Sequence, residues 1–280
     1  MATFHRRLPV NQAGRDFIVG DLHGCLDLLQ AELTRIGFNA ARDRLFSVGD
    51  LADRGPDSMG CLRLLRESWF YAVRGNHEDM LLDYHHQAMM PHSSSNAASM
   101  FFRNGGGWVR ELNDQAEAEL AQDLLPRVAA LPYVMTVGEG ESQFHVAHAE
   151  LMTGSVEEES SWSTLAGLPV DQTPKQVLTD ERLTDEILSG MIEPLTWGRR
   201  LVGKVNMKQS TEIDTPAGKV LVSQQPMHPG LSLTYVGHTP IKHMVLHDSH
   251  LFIDRGAYTR EPNTCLLVLD HKDVRTWLAL

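Results

Sequence analysis

Three short polar segments within the first eighty residues carry side chains that could bind metal ions. Each segment follows an apolar run, at residues 17–19, 45–48 and 69–73, and such runs predict buried strands that end in tight turns. The carboxyl ends of neighbouring strands meet in one crevice, so we expect the segments to lie close together. They are Gly20-Asp21-Leu22-His23-Gly24, Gly49-Asp50-Leu51-Ala52-Asp53-Arg54-Gly55 and Arg74-Gly75-Asn76-His77-Glu78.

The ligand types in these segments favour a particular class of metal ion. Carboxylates and imidazoles without a thiolate suit manganese, iron or zinc better than calcium. Two ions held close together also need one carboxylate that can bridge them. Each segment alone is better explained as an ordinary strand-to-helix turn, where Asp and Gly are common for capping reasons. Three such segments in succession, each with candidate ligands, favour a metal site.

The same region predicts the fold class. After the first segment, Leu26, Leu29, Leu33 and Ile36 have helical spacing. Strand, polar turn and helix therefore repeat along the chain, and this order is typical of α/β layered folds.

Composition and charge limit the domain count and the class of partner. With 280 residues, 42% hydrophobic and 22% charged, we expect a single globular domain over residues 1–280. The net charge of −11 argues against nucleic acid as a partner. Without a signal-peptide core or a long apolar run, we expect a cytoplasmic protein with no membrane partner. Cys25, Cys61 and Cys265 are widely spaced, which predicts buried, reduced thiols.

Apolar runs and turn residues predict further elements beyond residue 88. They are a helix over 108–125, a β-hairpin of strands 132–137 and 142–147, a strand at 233–236, a hairpin turning at Asp248-Ser249, and strands at 264–270 and 273–279. Three stretches lack such patterns and are expected to be variable loops or insertions. They are a mobile loop near 89–107, an acidic solvated loop near 152–190 and a polar insertion near 201–230.

Several histidines lie outside the three segments. His148 follows the second strand of the first predicted hairpin, whereas His145 lies three positions earlier and faces the opposite side of that strand. His148 is therefore the candidate ligand and His145 is expected to fill the sheet. The remaining candidates are expected to be structural or solvent-exposed: His85, His86, His243 and His247.

In order and spacing, the segments GDLHG, GDLADRG and GNHE resemble the signature of the PPP-family metallophosphatases. The pattern is most similar to bacterial serine/threonine protein phosphatases of the PrpA/PrpB and phage-lambda type, from Phe17 to about Leu269. This resemblance implies a calcineurin-like metallophosphoesterase fold, in which two mixed β-sheets pack face to face with helices outside. Two positions depart from the family pattern, Glu150 after His148-Ala149 and Arg255 within Asp254-Arg255-Gly256-Ala257.

The resemblance also implies roles for individual residues. Asp21, His23 and Asp50 would bind one divalent ion. The resemblance implies that this ion is Mn²⁺, with iron or zinc as alternatives. A second ion would be shared through Asp50 and bound by three further ligands, which are Asn76, His148 and His238. The segment Trp197-Gly198-Arg199-Arg200 resembles the family's Trp-x-Arg, which makes Arg199 a phosphate-binding residue and Arg200 a weaker candidate.

These residues predict a mechanism for phosphate ester hydrolysis. Two ions that share a water lower its pKa, so hydroxide would attack phosphorus directly and no phosphoenzyme would form. Arg54 and Arg199 would bind the phosphoryl oxygens. His77 would donate a proton to the leaving group, with Asp53 hydrogen-bonded to its other ring nitrogen.

The expected function is a metal-dependent phosphomonoester hydrolase that acts as a serine/threonine protein phosphatase, with phosphotyrosine as a further substrate. Its partners would be phosphorylated proteins or peptides, and small phosphoesters in vitro. The alternatives are a symmetrical dinucleoside polyphosphate hydrolase, a small-molecule phosphatase and a non-catalytic metal-bound binding protein. The Trp-x-Arg match favours the protein phosphatase, and the intact ligand set argues against the binding protein.

Overall fold

Two β-sheets form the centre of the computed structural model, which describes residues 4–88, 96–153 and 176–280. The larger sheet has eight strands in the order β1-β5-β6-β9-β11-β10-β8-β7, and the smaller has four in the order β12-β2-β3-β4. Both sheets mix parallel and antiparallel pairs. The strands are β1 (His5–Leu8), β2 (Asp16–Val19), β3 (Arg44–Ser47), β4 (Phe70–Ala72), β5 (Val134–Val137), β6 (Phe144–Ala147), β7 (Thr211–Thr215), β8 (Gly218–Val222), β9 (Leu233–Val236), β10 (Met244–His247), β11 (His250–Phe252) and β12 (Val268–Asp270).

Helices connect the strands and cover the outer faces. The first six in the described ranges are α1 (Leu26–Arg35), α2 (Ser58–Arg63), α3 (Asn76–Ala88), α4 (Asn96–Arg103), α5 (Asp114–Glu119) and α6 (Leu125–Ala129). Four more helices follow, at Asp185–Ser189, Ile192–Trp197, Arg200–Lys204 and His271–Leu278. No helix in these ranges is both long enough and apolar enough to span a lipid bilayer.

The two sheets pack face to face through alternating side chains. Ile18 of β2 and Phe46 of β3 are fully buried against Val146 and Tyr235 of the larger sheet. Because successive side chains of a strand point to opposite faces, Phe17 faces away from that interface. The apolar alternation within each short strand therefore supplies two cores, one between the sheets and one beneath the helices.

The outer cores complete a four-layer arrangement. Leu29 of α1 and Leu81 of α3 cover the outer face of the smaller sheet. Leu188 and Leu195 cover the outer face of the larger sheet, where Val134 is also buried. The predicted fold class, two mixed sheets packed face to face with helices outside, is confirmed.

Most of the predicted strands are present near their expected bounds. The strands before the three polar segments are β2, β3 and β4, and the predicted hairpin is the antiparallel pair β5 and β6. The strand at 233–236 is β9, and β10 and β11 pair around the turn at Asp248-Ser249. Cys25 and Cys61 are buried free thiols as predicted, but the prediction was wrong for Cys265, which is exposed.

Two predicted elements have a different structure. Residues 273–279 were predicted as a strand, but they lie in the helix His271–Leu278. The side chain of Asp270 accepts a hydrogen bond from the Lys272 backbone N–H (2.9 Å), which caps this helix. The single helix predicted over 108–125 is divided into a 3₁₀ turn at Gly106–Glu111, α5, a π turn at Leu120–Leu124, and α6.

The stretches without clear patterns contain more structure than expected. In the mobile loop expected near 89–107, residues 89–95 lie outside the described residues, and residues 96–103 form α4. In the loop near 152–190, residues 154–175 lie outside the described residues, whereas Leu178 and Leu183 are buried, so the solvated-loop prediction was wrong there. Residues 201–230 contain the hairpin of β7 and β8, which extends the larger sheet at one edge.

We expect Phe46→Ala to lower the free energy of unfolding by about 3–5 kcal/mol, because it leaves a cavity between the sheets. The Phe46 ring is fully buried, with ring centroids 5.2 Å from Tyr71 and 5.7 Å from Phe144. Urea denaturation measures the change. Met207→Ala, at a side chain that is 45% exposed, is the control and should stay within about 0.5 kcal/mol of the wild type. Equal stability of the two variants would contradict the burial of Phe46 between the sheets.

Candidate metal centre

Six strands from the two sheets end at one crevice. Strands β2, β3 and β4 run parallel to one another in the smaller sheet, and β6, β9 and β11 do so in the larger sheet. Polar residues follow each of these strands at its carboxyl end, and all are at most 5% exposed. They are Asp21, His23, Asp50, Asn76, His77, His148, His238 and Asp254.

One compact group of ligand atoms lies around Oδ1 of Asp50. Nε2 of His148 is 3.4 Å from Asp50 Oδ1, 2.9 Å from Asn76 Oδ1 and 3.2 Å from His238 Nδ1. Asn76 Oδ1 is 3.0 Å from His238 Nδ1. Ligand atoms that share one ion at about 2.1 Å lie roughly 3.0–3.4 Å apart, so these four atoms fit a divalent metal ion.

A second, more open group lies around the other carboxylate oxygen of Asp50. Oδ2 is 3.6 Å from Nε2 of His23 and 3.8 Å from Nε2 of His77. Asp50 is thus common to the two groups of three residues whose ligand atoms all lie within 4.8 Å of one another. A carboxylate with one oxygen toward each group has the arrangement that a bridge between two ions requires.

Asp21, predicted as a ligand beside His23, lies at the boundary of the two sheets. Its carboxylate accepts hydrogen bonds from the backbone N–H of His238, at 3.0 Å to Oδ2 and 3.2 Å to Oδ1. A Cβ at Gly237 would overlap Asp21 Oδ1, so the close approach of the two segments requires glycine at this position. Among the described residues, the group that contains His23 includes His77 rather than Asp21.

Hydrogen bonds fix the tautomers of two imidazoles. His148 donates from Nδ1 to the Val48 carbonyl (2.8 Å), and His23 lies with Nδ1 3.1 Å from the Ala52 carbonyl. Both rings therefore direct Nε2 toward Asp50. Burial lowers the pKa of His148, and it lowers the pKa of His23 and His238 to about 3. These imidazoles are neutral at pH 7, which is the form that binds metal ions.

Buried carboxylates crowd the crevice with negative charge. The pKa of Asp21 is raised by burial and by the charges of Asp254 and Asp50. Burial also raises the pKa of Asp254 to about 6, and its Oδ2 atom has no hydrogen-bond partner within the described residues. Burial alone would raise the pKa of Asp50, but the neighbouring histidines, with His148 foremost, lower it. A bound cation would relieve this repulsion, so the donor set fits divalent metal ions.

Backbone strain is concentrated at the same residues. His23, Asp50, Asp53, Arg54 and His238 all have positive φ angles, between 41° and 73°. This left-handed region disfavours residues other than glycine and is found at functional sites where the surrounding structure enforces it. The turns are held in part by Glu78, whose carboxylate accepts hydrogen bonds from the backbone N–H groups of residues 50, 51 and 75 at 2.8–2.9 Å.

The two predicted phosphate-binding arginines reach the crevice from different segments, Arg54 from the turn after β3 and Arg199 from between the helices Ile192–Trp197 and Arg200–Lys204. Nη1 of Arg54 donates to Nε2 of His23 (2.7 Å), and its guanidinium lies 4.7 Å from the centre of the Tyr258 ring. Nε of Arg199 donates to Nε2 of His238 (3.1 Å). One guanidinium therefore lies beside each ligand group. An anion bound in the crevice could accept hydrogen bonds from both guanidinium groups.

The predicted acid–base pair is formed in the buried part of the crevice. Nδ1 of His77 is 2.6 Å from Oδ2 of Asp53, and both side chains have zero exposure. Burial would lower the pKa of His77, but the carboxylates of Asp50 and Asp53 outweigh it and the pKa is raised. Nε2 of His77 has no hydrogen-bond partner in the part of the chain that the structure describes.

Other predicted residues lie away from the crevice or beside it. His145 contacts Thr136 Oγ1 (2.9 Å) and Asp180 Oδ1 (2.8 Å) within the sheet, as expected. Glu150 is buried, and its Oε1 accepts a hydrogen bond from the Leu201 backbone N–H (2.6 Å). Arg255 donates from Nη2 to the Asn263 carbonyl (2.9 Å).

Sequence reasoning missed four residues of the site. Glu78 is part of the third polar segment, and Asp254 lies in the Asp-Arg-Gly-Ala segment, so both carried a signal. The other two residues had no recognisable sequence signal. They are Trp108, whose Nε1 donates to Asp53 Oδ1 (2.6 Å), and Tyr258, whose ring centroid is 5.0 Å from that of His23.

We expect Asp50→Asn to lose more metal than any other single ligand variant, because Asp50 faces both groups and its charge offsets two cations. Loss of a residue that only hydrogen-bonds to a metal ligand typically lowers metal affinity by about 10–100-fold. The metal affinity of Asp50→Asn should fall by more than this. Elemental analysis measures the metal content, and Asn76→Asp, which keeps an oxygen ligand, is the control and should retain more metal. Two ions per chain in Asp50→Asn would contradict the bridging position.

Comparison with known proteins identifies relatives of the chain. Serine/threonine-protein phosphatase 1 of Salmonella typhimurium is 40% identical over 146 residues, which are 52% of this chain and 63% of that protein. Serine/threonine-protein phosphatase 2 of Escherichia coli is 35% identical over 149 residues, 53% of this chain and 64% of that protein. The symmetrical bis(5'-nucleosyl)-tetraphosphatase of Azotobacter vinelandii is 29% identical over 204 residues, 71% of this chain and 65% of that protein.

Each of these matches spans less than two thirds of the relative's own length. The family model for the calcineurin-like phosphoesterases matches residues 17–242, which include all three polar segments, His148, Arg199 and His238. Together with the two sheets and the ligand groups at their strand ends, this match confirms the resemblance noted in the sequence. The chain belongs to the calcineurin-like phosphoesterase family.

Proposed function

We propose that the protein is a metal-dependent phosphomonoester hydrolase that acts as a serine/threonine protein phosphatase. The observation that carries this proposal is the pair of ligand groups that share Asp50, with Arg54 beside one group and Arg199 beside the other. Such a site offers cations and guanidinium groups to a phosphate, and it does not need a nucleophilic side chain.

In this proposal the crevice would hold two divalent ions. Asp21, His23 and Asp50 would hold the first ion. Asp50, Asn76, His148 and His238 would hold the second. Mn²⁺ is the proposed ion, with iron or zinc as alternatives, because carboxylate and imidazole ligands suit these metals. When bound, the two ions activate a water molecule for attack on phosphorus.

The arginines orient the phosphate. Each guanidinium presents a planar fork of N–H donors that matches two phosphoryl oxygens at once. The contact of Arg54 with His23 and that of Arg199 with His238 place these forks next to the ligand groups. The substrate's phosphate would replace the two imidazole contacts, so the arginines hold it between the sheets.

His77 supplies the proton that the leaving group needs. The alkoxide of serine is a poor leaving group, and protonation during bond cleavage makes it a good one. Asp53 holds the Nδ1 side of the ring, so the unpartnered Nε2 is the atom that faces the leaving oxygen. Asp53 also favours the protonated form of the imidazole.

The proposed substrates are phosphorylated proteins or peptides in the cytoplasm, with phosphotyrosine and small phosphoesters hydrolysed as well. The higher identity to the two bacterial protein phosphatases supports this choice. The tetraphosphatase match is longer but lower in identity, so hydrolysis of dinucleoside polyphosphates is the competing activity.

We expect the manganese-loaded protein to hydrolyse phosphoserine and phosphothreonine peptides faster than diadenosine tetraphosphate, measured as kcat/KM. A preference for diadenosine tetraphosphate would assign the competing activity instead.

We expect chelation to remove hydrolysis of p-nitrophenyl phosphate and added manganese to restore it, because the activated water depends on bound ions. Full activity in protein shown to be metal-free by elemental analysis would end the two-ion mechanism.

We expect His77→Asn to slow phosphopeptide hydrolysis by about 10²–10⁴-fold and p-nitrophenyl phosphate hydrolysis much less. The serine alkoxide needs a proton, whereas p-nitrophenolate hardly does. Initial rates on both substrates measure the asymmetry, and Asp53→Asn should show it in weaker form. Metal content is the control, because His77 also lies within the group of ligand atoms around His23. Equal losses on both substrates in a fully loaded variant would remove the acid role from His77.

A further inference from the structure

We propose that Trp108 is a positioning residue for the proton donor, acting through Asp53 on His77. This inference rests on the proposed phosphatase function. Among the described residues, the polar contact of the Trp108 indole with the site is its hydrogen bond to Asp53, so its effect on the reaction would pass through the Asp53 carboxylate.

Three side chains form one continuous hydrogen-bonded chain. Nε1 of Trp108 donates to Oδ1 of Asp53 (2.6 Å), and Oδ2 of Asp53 is 2.6 Å from Nδ1 of His77. Both distances lie just below the about 2.7–2.9 Å that is typical of N–H···O hydrogen bonds to a carboxylate, so both contacts are short. Asp53 and His77 have zero exposure, so water does not compete for the carboxylate.

The geometry fixes the plane of the carboxylate. Each oxygen of Asp53 accepts from a different ring, so rotation of the carboxylate would lengthen both hydrogen bonds. The indole of Trp108 therefore restrains the orientation of the His77 imidazole. Nε2 of His77 then faces Oδ2 of Asp50 at 3.8 Å, on the side of the crevice where a phosphate would bind.

The backbone near Trp108 also packs on the turn that carries Asp53. The carbonyl of Gly105 accepts a hydrogen bond from the Arg54 backbone N–H (3.4 Å). Gly105 has a φ angle of 104°, and a Cβ there would lie 2.8 Å from the Arg54 backbone nitrogen, so the contact depends on glycine. The segment Gly105–Trp108 thus holds two consecutive residues, Asp53 and Arg54, in their left-handed conformations.

A packing role for the Trp108 ring is the competing explanation. The ring is half-buried and contacts the core beneath the smaller sheet. A packing role would lower stability and all activities together. A positioning role would depend on the indole N–H and would affect only substrates whose leaving group needs a proton.

The test compares Trp108→Phe with Trp69→Phe in the manganese-loaded full chain. Each variant keeps an aromatic ring and removes one indole N–H, and in Trp69 that group donates to the exposed Glu67 (3.1 Å). We expect Trp108→Phe to lower kcat on a phosphoserine peptide by about tenfold or more, with less than a twofold change on p-nitrophenyl phosphate and in KM. Trp69→Phe should change neither rate. Equal losses on both substrates, or no loss, would overturn the proposal.

A double-mutant cycle separates action through His77 from an independent effect. In a His77→Asn background, Trp108→Phe should cause no further loss on the phosphopeptide, because the group that it positions is absent. Multiplicative losses in the double variant would show that Trp108 acts elsewhere and would overturn the proposal.

A measurement without substrate makes failure of this inference distinguishable from failure of the proposed function. In ¹⁵N-labelled protein, Trp108→Phe should shift the ring resonances of His77, and Asp53→Asn should shift the indole N–H resonance of Trp108. Trp69→Phe should leave His77 unchanged. Unchanged His77 resonances in Trp108→Phe would overturn the inference, whatever the enzyme hydrolyses.

Discussion

The burial of several carboxylates in one crevice is the constraint on which the rest of the structure depends. Asp21, Asp50 and Asp254 lie at strand ends of both sheets with at most 2% exposure. Burial and mutual repulsion raise the pKa of Asp21 and Asp254. This cost is compatible with a stable fold when cations are bound, so the strained turns, the close glycine contacts and the neutral imidazoles are parts of one requirement.

The three polar segments could be recognised in the sequence because their signal is local. Each polar segment follows a short apolar strand, and the carboxyl ends of parallel strands must meet, so the position of Asp50 relative to Asn76 followed from chain order. His148 was separated from His145 by strand alternation, and the structure places His145 in the sheet. The face-to-face arrangement of the sheets was implied by family resemblance rather than by periodicity.

The remaining parts depend on contacts between distant segments, which local patterns do not encode. Trp108 contacts Asp53 across 55 positions of the chain, and the residues between them gave no indication of this contact. Tyr258 likewise reaches His23 only after the chain has crossed both sheets. The last helix was mistaken for a strand because Val274 and Leu278, four positions apart, fit either period in so short a stretch, and the cap at Asp270 begins the helix.

The division of the crevice between two sheets sets the order in which it can be completed during synthesis. Asp21 and His238 form a direct contact although they are 217 positions apart. At about 5–20 residues per second, a ribosome makes His238 roughly 10–40 s after Asp21. Until then the nascent chain holds the smaller sheet's acidic turns and His148 but lacks His238. The full set of donors therefore first exists once His238 has been made, and a site that needs every donor cannot be complete before that stage.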